Sequence, residues 1–72
     1  MKRELVQSSS LASVGYNHDF QMLEIEFVHG GIYRYYKVPV SVYEALMNAP
    51  SKGSYYHDHV RDAGYDYEKV GE

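Results

Sequence analysis

The alternation of hydrophobic and polar residues is clearest over residues 21–28, QMLEIEFV. Leu23, Ile25 and Phe27 alternate there with two glutamates, which is the period of a strand that has one buried face. A shorter alternation in LASVGYN, residues 11–17, predicts another strand before it. The polar residues between the two segments favour a turn, so the two strands are predicted to follow each other directly.

Two further segments are rich in residues that favour β-structure, IYRYYKV at 32–38 and YDYEKV at 65–70. The HGG sequence at 29–31 supplies residues that tolerate the positive φ of a tight hairpin. Segments 21–28 and 32–38 are therefore predicted to pair. Pro39 cannot donate to a ladder and is expected to end the second of these strands.

Two short helices are predicted before the last strand. Ser41 and Glu44 have the spacing of a capping box, so the first helix is expected to begin at Ser41 and to end just before Pro50. Residues 51–64 predict a second helix, capped by Ser51 or Ser54 and closed by Gly64. The order β-β-β-α-α-β predicts an α+β domain, a small antiparallel sheet with two short helices on one face.

Length and composition predict one domain over residues 1–72 with a partly aromatic core. So short a chain buries only about 60% of the surface that its unfolded form exposes, so the core needs large side chains. Nine tyrosines and two phenylalanines supply them. The residues expected to form the core are Val14, Leu23, Ile25, Phe27 and Leu46.

The hairpin loop decides which way Tyr33 and Tyr35 point. A two-residue loop, Gly30-Gly31, places both tyrosines opposite the core and turns Arg34 inward, where an unpaired cation would cost several kcal/mol. A three-residue loop that includes His29 pairs Phe27 with Tyr33 and Ile25 with Tyr35, so that both tyrosines line the core. We favour the three-residue loop. It predicts an exposed strip of Glu24, Glu26, Arg34 and Tyr36.

Several classes of function are disfavoured by composition. The absence of cysteine excludes disulfides and thiolate zinc sites. His57 and His59 point to different sides of a helix and cannot share a metal ion there, so no metal is expected. No other cofactor is expected either. No Gly-x-Ser-x-Gly elbow is present, and no enzyme is expected. No apolar run is long enough for a membrane span and no signal peptide is evident, so a cytoplasmic location is expected.

Six short motifs, in this order, resemble the KTSC domain over about residues 6–70. They are V-x-S-S at 6–9, V-G-Y-N at 14–17, F-V-H-G-G-I-Y-R-Y at 27–35, V-P at 38–39, A-P-S-K-G-S-Y-Y at 49–56 and Y-D-Y-E-K-V at 65–70. That family is named for a C-terminal extension of some lysyl-tRNA synthetases and also occurs as small stand-alone proteins of bacteria and phages. Its central Y-x-Y motif is Tyr33-Arg34-Tyr35 here. The resemblance implies no catalytic residues, and its synthetase context implies a role in RNA binding.

The sequence therefore predicts a small non-catalytic binding module with two alternative partners. One is RNA or single-stranded nucleic acid, held by tyrosine stacking and a few cations, although the net charge of −3 disfavours a broad basic footprint. The other is a protein, since tyrosine and arginine are enriched at binding hot spots; the domain would be an adaptor, an inhibitor or a homo-oligomer. The residues expected to contact either partner are Arg34, Tyr36, Lys37, Lys52, Tyr55 and Arg61, with Tyr33 and Tyr35 added if they are exposed. Clustering of the cations on one face would favour nucleic acid.

Overall fold

The chain forms an open five-stranded antiparallel sheet with two helices, and a computed structural model describes residues 1–72. The elements are β1 (Glu4–Leu5), β2 (Leu11–Asn17), β3 (Met22–Phe27), β4 (Ile32–Tyr35), α1 (Val40–Asn48), α2 (Lys52–His59) and β5 (Tyr67–Gly71), with a 3-10 turn at Arg61–Ala63 before β5. The strands lie in chain order across the sheet. The α+β class is confirmed, and the order becomes β-β-β-β-α-α-β because the short edge strand β1 was not predicted.

The core lies between the helices and one face of the sheet. Val14, Leu23, Ile25 and Leu46 are buried there as predicted, whereas Phe27 is only partly buried because it lies at the end of β3. Three fully buried residues were not in the predicted core: Leu11, Val38 and Val60. Each lies at the edge of an element or between elements, where the hydrophobic period gives a weak signal.

The β3–β4 hairpin has a three-residue loop, but it is Val28–Gly30 and not residues 29–31. Ile25 pairs with Tyr33, and Leu23 pairs with Tyr35, which shifts the predicted pairing by two residues. The backbone N–H of Phe27 donates to the carbonyl of Gly31 (3.0 Å) and closes the loop. An even shift leaves side chains on the same face, so both tyrosines point toward the helices as the three-residue loop predicted.

The chain leaves the sheet earlier than predicted, after Tyr35 and not at Val38. Lys37 has a φ of 58°, in the left-handed region, and this turn reverses the direction of the side chains that follow. Val38 therefore enters the core, although continuation of the strand would have placed it on the other face. Its N–H donates to the carbonyl of Gln21 (2.9 Å), which ties the end of β4 to the β2–β3 turn.

The two helices begin differently. Pro39 is the N-cap of α1 and no side chain caps the helix, so the predicted capping box at Ser41 is wrong. The rigid φ of Pro39 takes the place of a capping side chain in starting the helix. Of the two serines predicted as the cap of α2, Ser51 is the one used, since its hydroxyl accepts from the N–H of Ser54 (3.3 Å). The second helix ends at His59, earlier than predicted, and Gly64 with a φ of 87° closes the 3-10 turn.

Gly15 allows the N-terminal segment to lie against β2. A Cβ atom built at Gly15 would stand 2.6 Å from the carbonyl oxygen of Lys2 and 3.0 Å from Cγ of Arg3. We expect Gly15→Ala to lower the free energy of unfolding by about 1–3 kcal/mol, measured by urea denaturation, because it displaces β1. The control is a chain that starts at Val6, in which the same substitution should cost nothing. An equal cost in the shortened chain would contradict this account.

Candidate functional site

An aromatic cleft of about 330 Å³ opens on the helix side of the sheet. It lies where β3, β4, β5 and α2 meet. Six residues line it: Phe27, Tyr33, Tyr35, Tyr56, Tyr67 and Arg61. We call this site the tyrosine cleft. Five of its six lining residues are aromatic, and the sixth is a cation.

Strand register explains how three elements contribute to the tyrosine cleft. The period of two along β4 places Tyr33 and Tyr35 on the helix face. Tyr67 lies directly across from Tyr35 in the β4–β5 pairing, so its ring joins theirs. Phe27 comes from the end of β3. The fourth strand thus supplies the Y-x-Y motif, and its neighbours complete the wall.

Tyr56 closes the tyrosine cleft from α2. Its hydroxyl lies 2.7 Å from the hydroxyl of Tyr35, and its ring centre lies 5.1 Å from that of Phe27 in an edge-to-face arrangement. Edge-to-face rings at this separation attract each other by about 0.5–1.5 kcal/mol beyond the area they bury. The shared hydrogen bond and ring contacts hold the helix side of the cleft against the sheet.

The rings differ in depth, which separates a floor from a rim. Tyr35 is only 4% exposed and forms the floor, whereas Tyr67 is 63% exposed and stands at the mouth. Their ring centres are 5.5 Å apart, and Tyr33 lies 6.2 Å from Tyr67. Tyr33 is partly buried, between these two extremes of exposure. A flat ring entering the mouth would meet Tyr67 and Tyr33 first.

The phenol of Tyr35 stays neutral under ordinary conditions. Burial raises its pKa far above the usual value, and the hydrogen bond with Tyr56 and the neighbouring tyrosines raise it further. The floor of the cleft therefore presents a neutral hydroxyl group, which can both donate and accept hydrogen bonds.

Arg61 is the one charged side chain that lines the tyrosine cleft. Its Nη2 lies 2.8 Å from Nε2 of His57, and its Nε lies 3.4 Å from a carboxylate oxygen of Asp62. His57 can accept from Arg61 at Nε2 while Nδ1 donates to Asp58, 3.2 Å away. These exposed partners hold the guanidinium near the mouth without burying it, so it keeps free N–H groups.

The face of the sheet opposite the helices contains a buried carboxylate. Glu24 is 4% exposed and was expected in an exposed strip, so that prediction is wrong. One of its carboxylate oxygens accepts from Nη2 of Arg34 (2.8 Å), and the other accepts from Arg3. Because Arg3 precedes β1, the unpredicted edge strand is what brings a second cation over Glu24.

Two arginines determine the pKa of Glu24. Burial by itself would raise the pKa, but the hydrogen bonds and positive charges of Arg34 and Arg3 outweigh it and hold the pKa below its usual range. Arg34 in turn has a raised pKa, chiefly because it donates to Glu24. Its guanidinium is thus committed to an ion pair inside the domain.

The other polar residues of this face are also paired. The hydroxyl of Ser13 accepts from Arg3 (2.9 Å) and donates to Glu26 (2.9 Å), while the hydroxyl of Tyr36 donates to Glu68. The arginines therefore do not form a free basic face. A broad cationic surface would have favoured nucleic acid as the partner, and this sheet face has none.

The six residues predicted to contact a partner lie in three places. Arg34, Tyr36 and Lys37 are at the end of β4 and in the turn after it, and Arg61 is at the tyrosine cleft. Lys52 and Tyr55 are on α2, where the Lys52 amine donates to the carbonyl of Ala49 (3.2 Å) and the Tyr55 ring stacks on His59. Only Arg61 joins Tyr33 and Tyr35 in one site.

Tyr56 and Tyr67 were not among the residues predicted to contact a partner, and Phe27 was predicted to lie in the core. The alternation of β5 placed Tyr67 on one face, but the strand that it pairs with could not be inferred from the pattern. Tyr56 reaches the cleft only because α2 packs against the sheet. Its i, i+4 spacing with Val60 predicted that both lie on the inner face of the helix, as they do, but not which strands they meet.

Metal-holding side-chain groups and membrane-spanning helices are both absent from the fold. No group of three or more histidine, aspartate or glutamate side chains is placed to hold a metal ion. Neither helix has the length and apolar character needed to cross a bilayer.

Comparison with known proteins gives consistent matches. The sequence model of the KTSC domain matches residues 7–67. An uncharacterized protein of Stutzerimonas stutzeri (strain A1501) is 43% identical over 70 residues, which cover 97% of this chain and 99% of that protein. A lysine–tRNA ligase of Nostoc sp. is 41% identical over 64 residues, which cover 89% of this chain but only 11% of the ligase. The crystal structure of a KTSC domain protein from Yersinia pestis superposes with a TM-score of 0.92, at 36% identity and 97% coverage of both chains.

Proposed function

The chain belongs to the KTSC domain family, and we propose that it is a small non-catalytic module that binds single-stranded RNA at the tyrosine cleft. The observation that carries this proposal is the combination of rim tyrosines with a lone arginine at the mouth. Such a site matches a nucleotide, which has a flat ring and a negative charge. Arg3 and Arg34 are less suited to this role because both are paired with the buried Glu24, whereas the ion-pair partner of Arg61, Asp62, is exposed.

Stacking supplies most of the expected affinity. Tyr67 is exposed and Tyr33 partly so, and an unpaired base can lie against one or both of their rings. A base stacked on an aromatic side chain contributes roughly 1–3 kcal/mol and does so with little sequence preference. The tyrosine hydroxyl groups can also donate to or accept from the base edges.

Arg61 would contact the phosphate next to the stacked base. Its planar guanidinium suits a phosphate, and its neighbours His57 and Asp62 leave part of it open to solvent. Since the chain carries a net charge of −3, one local contact fits better than a long basic track. Binding should therefore depend only weakly on salt.

The relatives give this proposal a biological context. A segment resembling almost the whole chain is part of a lysine–tRNA ligase, although it makes up about a tenth of that protein. RNA binding by the module is consistent with that setting, and the ligase activity itself is not carried over to this chain.

Titration of a labelled RNA tests the proposal. We expect Tyr67→Ala to weaken binding of a mixed-sequence RNA of about six nucleotides by about 5–150-fold, the loss of one stacked base, measured by fluorescence anisotropy. Arg61→Gln should weaken binding and lower the salt slope by about one unit. Tyr36→Ala, on the opposite sheet face, is the matched control and should bind as the wild type does. Absence of binding by the wild type at about 50 µM and low salt would refute the proposal.

Contact with a protein is a second candidate function, favoured by a different observation. Phe20 is 71% exposed at the tip of the β2–β3 turn, which is unusual for a phenylalanine in a small domain. It lies beside Met22 and Tyr36, away from the tyrosine cleft. The two candidate functions use separate surfaces and are not mutually exclusive.

A further inference from the structure

A small apolar surface lies on the sheet face opposite the helices, at one end of the sheet. Phe20, Met22, Tyr36 and Lys37 line a shallow hollow of about 430 Å³ there. We call it the turn patch. The β2–β3 turn supplies Phe20 and the turn after β4 supplies Lys37. Three apolar or aromatic side chains and one cation face solvent together.

The two turns that build the turn patch are held in fixed conformations. The N–H of Phe20 donates to the side-chain oxygen of Asn17 (3.0 Å). Gln21 has a φ of 53° and Lys37 a φ of 58°, and both are non-glycine residues in the left-handed region. Such conformations are unfavourable and cluster at functional sites. No other non-glycine residue of the chain has a positive φ.

The charges of the turn patch complement each other. Asp19 stands next to Phe20 in the turn, and both Asp19 and Lys37 are exposed. Neither forms a salt bridge within the chain, whereas Arg3, Arg34 and Arg61 all do. The turn patch thus carries a protruding ring, a hollow and an unpaired cation, and an unpaired anion lies next to Phe20 in the same turn.

We propose that the turn patch is the interface of a symmetric dimer of this chain. Phe20 of each copy lies in the hollow between Met22 and Tyr36 of the other, and Asp19 of each copy pairs with Lys37 of the other. A two-fold axis requires a surface that complements itself, and this surface has both halves of each contact. The inference rests on the second candidate function, protein contact, and is independent of RNA binding.

The size of the turn patch limits how strongly two copies of the chain can bind each other. Stable dimers bury roughly 800 Å² on each partner, and four lining residues cannot supply that area. The dimer should therefore be weak, with a dissociation constant of about 10 µM to 1 mM, and form where the chain is concentrated or tethered.

Sedimentation of charge-reversal variants tests the dimer. The wild type is measured over about 10 µM to 2 mM, with Phe20→Ala, Asp19→Lys, Lys37→Asp and the double variant beside it. Aspartate tolerates the left-handed conformation at position 37. Phe20→Ala and each single reversal should raise the dissociation constant by about tenfold or more, and the double reversal should return it to within about threefold of the wild-type value. Lys52→Asp, a lysine away from the patch, is the matched control and should change it little.

Three outcomes would overturn the dimer. They are a wild type that is monomeric at about 2 mM, a double reversal no better than the single ones, and a loss of RNA binding in Phe20→Ala with no effect on association. Tyr67→Ala should leave sedimentation unchanged, since it lies at the tyrosine cleft. Failure of the RNA proposal and failure of the dimer therefore give different results on different variants.

Discussion

Leu46→Ala should lower the free energy of unfolding by about 2–5 kcal/mol, the range for a leucine removed from a packed core. Leu46 is fully buried and is the one buried residue of α1. Its loss leaves a cavity between the helix and the sheet that so small a domain cannot fill. At about 0.05–0.15 kcal/mol per residue the whole chain has roughly 4–11 kcal/mol of stability, so this loss is a large share of the total.

Urea denaturation followed by far-UV circular dichroism measures this effect. The matched control is Val40→Ala in the same helix, where the side chain is partly exposed and the cost should stay below about 1 kcal/mol. Equal costs for Leu46→Ala and Val40→Ala would show that α1 does not depend on its buried leucine. Because α1 packs on α2, which carries Tyr56, the same variant should also weaken RNA binding.

Glu24→Gln should lower the free energy of unfolding by about 2–3 kcal/mol, because it leaves Arg3 and Arg34 close together without the carboxylate between them. The expected loss of stability is smaller than that for a fully buried ion pair, because both arginines are partly exposed and can turn toward water. The amide keeps the size and shape of the side chain, so the loss reports charge and hydrogen bonding. Glu26→Gln, on the same strand, is the control and should cost less than about 1 kcal/mol.

The effect of Glu24 should depend on pH in one direction. Its pKa is lower in the folded chain than in the unfolded one, where a glutamate titrates near about 4.3. The stabilisation is therefore complete above about pH 5 and is lost as the pH falls through the folded pKa. The stability difference between wild type and Glu24→Gln, measured by urea denaturation, should shrink steadily below about pH 4. A difference that stays constant down to about pH 2 would mean that the charge of Glu24 is not what stabilises the sheet.

The local sequence pattern was sufficient to locate most of the strands and helices. Alternation placed β2 at residues 11–17 and β3 within one residue at each end, because one-sided burial imposes a period of two on the sequence. Ser51 and Gly64 were identified as end signals because capping and positive φ depend on the residue itself. Pro39 was predicted to end a strand and also begins α1, so Ser41 lost the role that its spacing indicated.

The candidate sites depended much more on long-range pairing. The sequence supplied Tyr33, Tyr35 and Arg61 as candidates, but only the β4–β5 register and the packing of α2 bring Tyr67 and Tyr56 beside them. Phe20 and Lys37 are likewise separated in the chain and line one hollow because two turns are joined by a backbone hydrogen bond. A pattern along the chain does not specify which turns meet.

The sequence by itself determined the α+β class and three of the five strands closely, since these follow from local conformation. It left two hairpin loops open for the Y-x-Y tyrosines, and only the register of β3 and β4 decided that both tyrosines face the helices. Only the tertiary structure decided that Glu24 is buried and that Arg34 is committed to it. The physical reason is that β1 has no hydrophobic period of its own, being two exposed residues long, and its position is set by the close approach that Gly15 allows. Burial of a charge depends on which distant cation covers it, and that partner, Arg3, is specified by the folded chain and not by the neighbours of Glu24 in sequence.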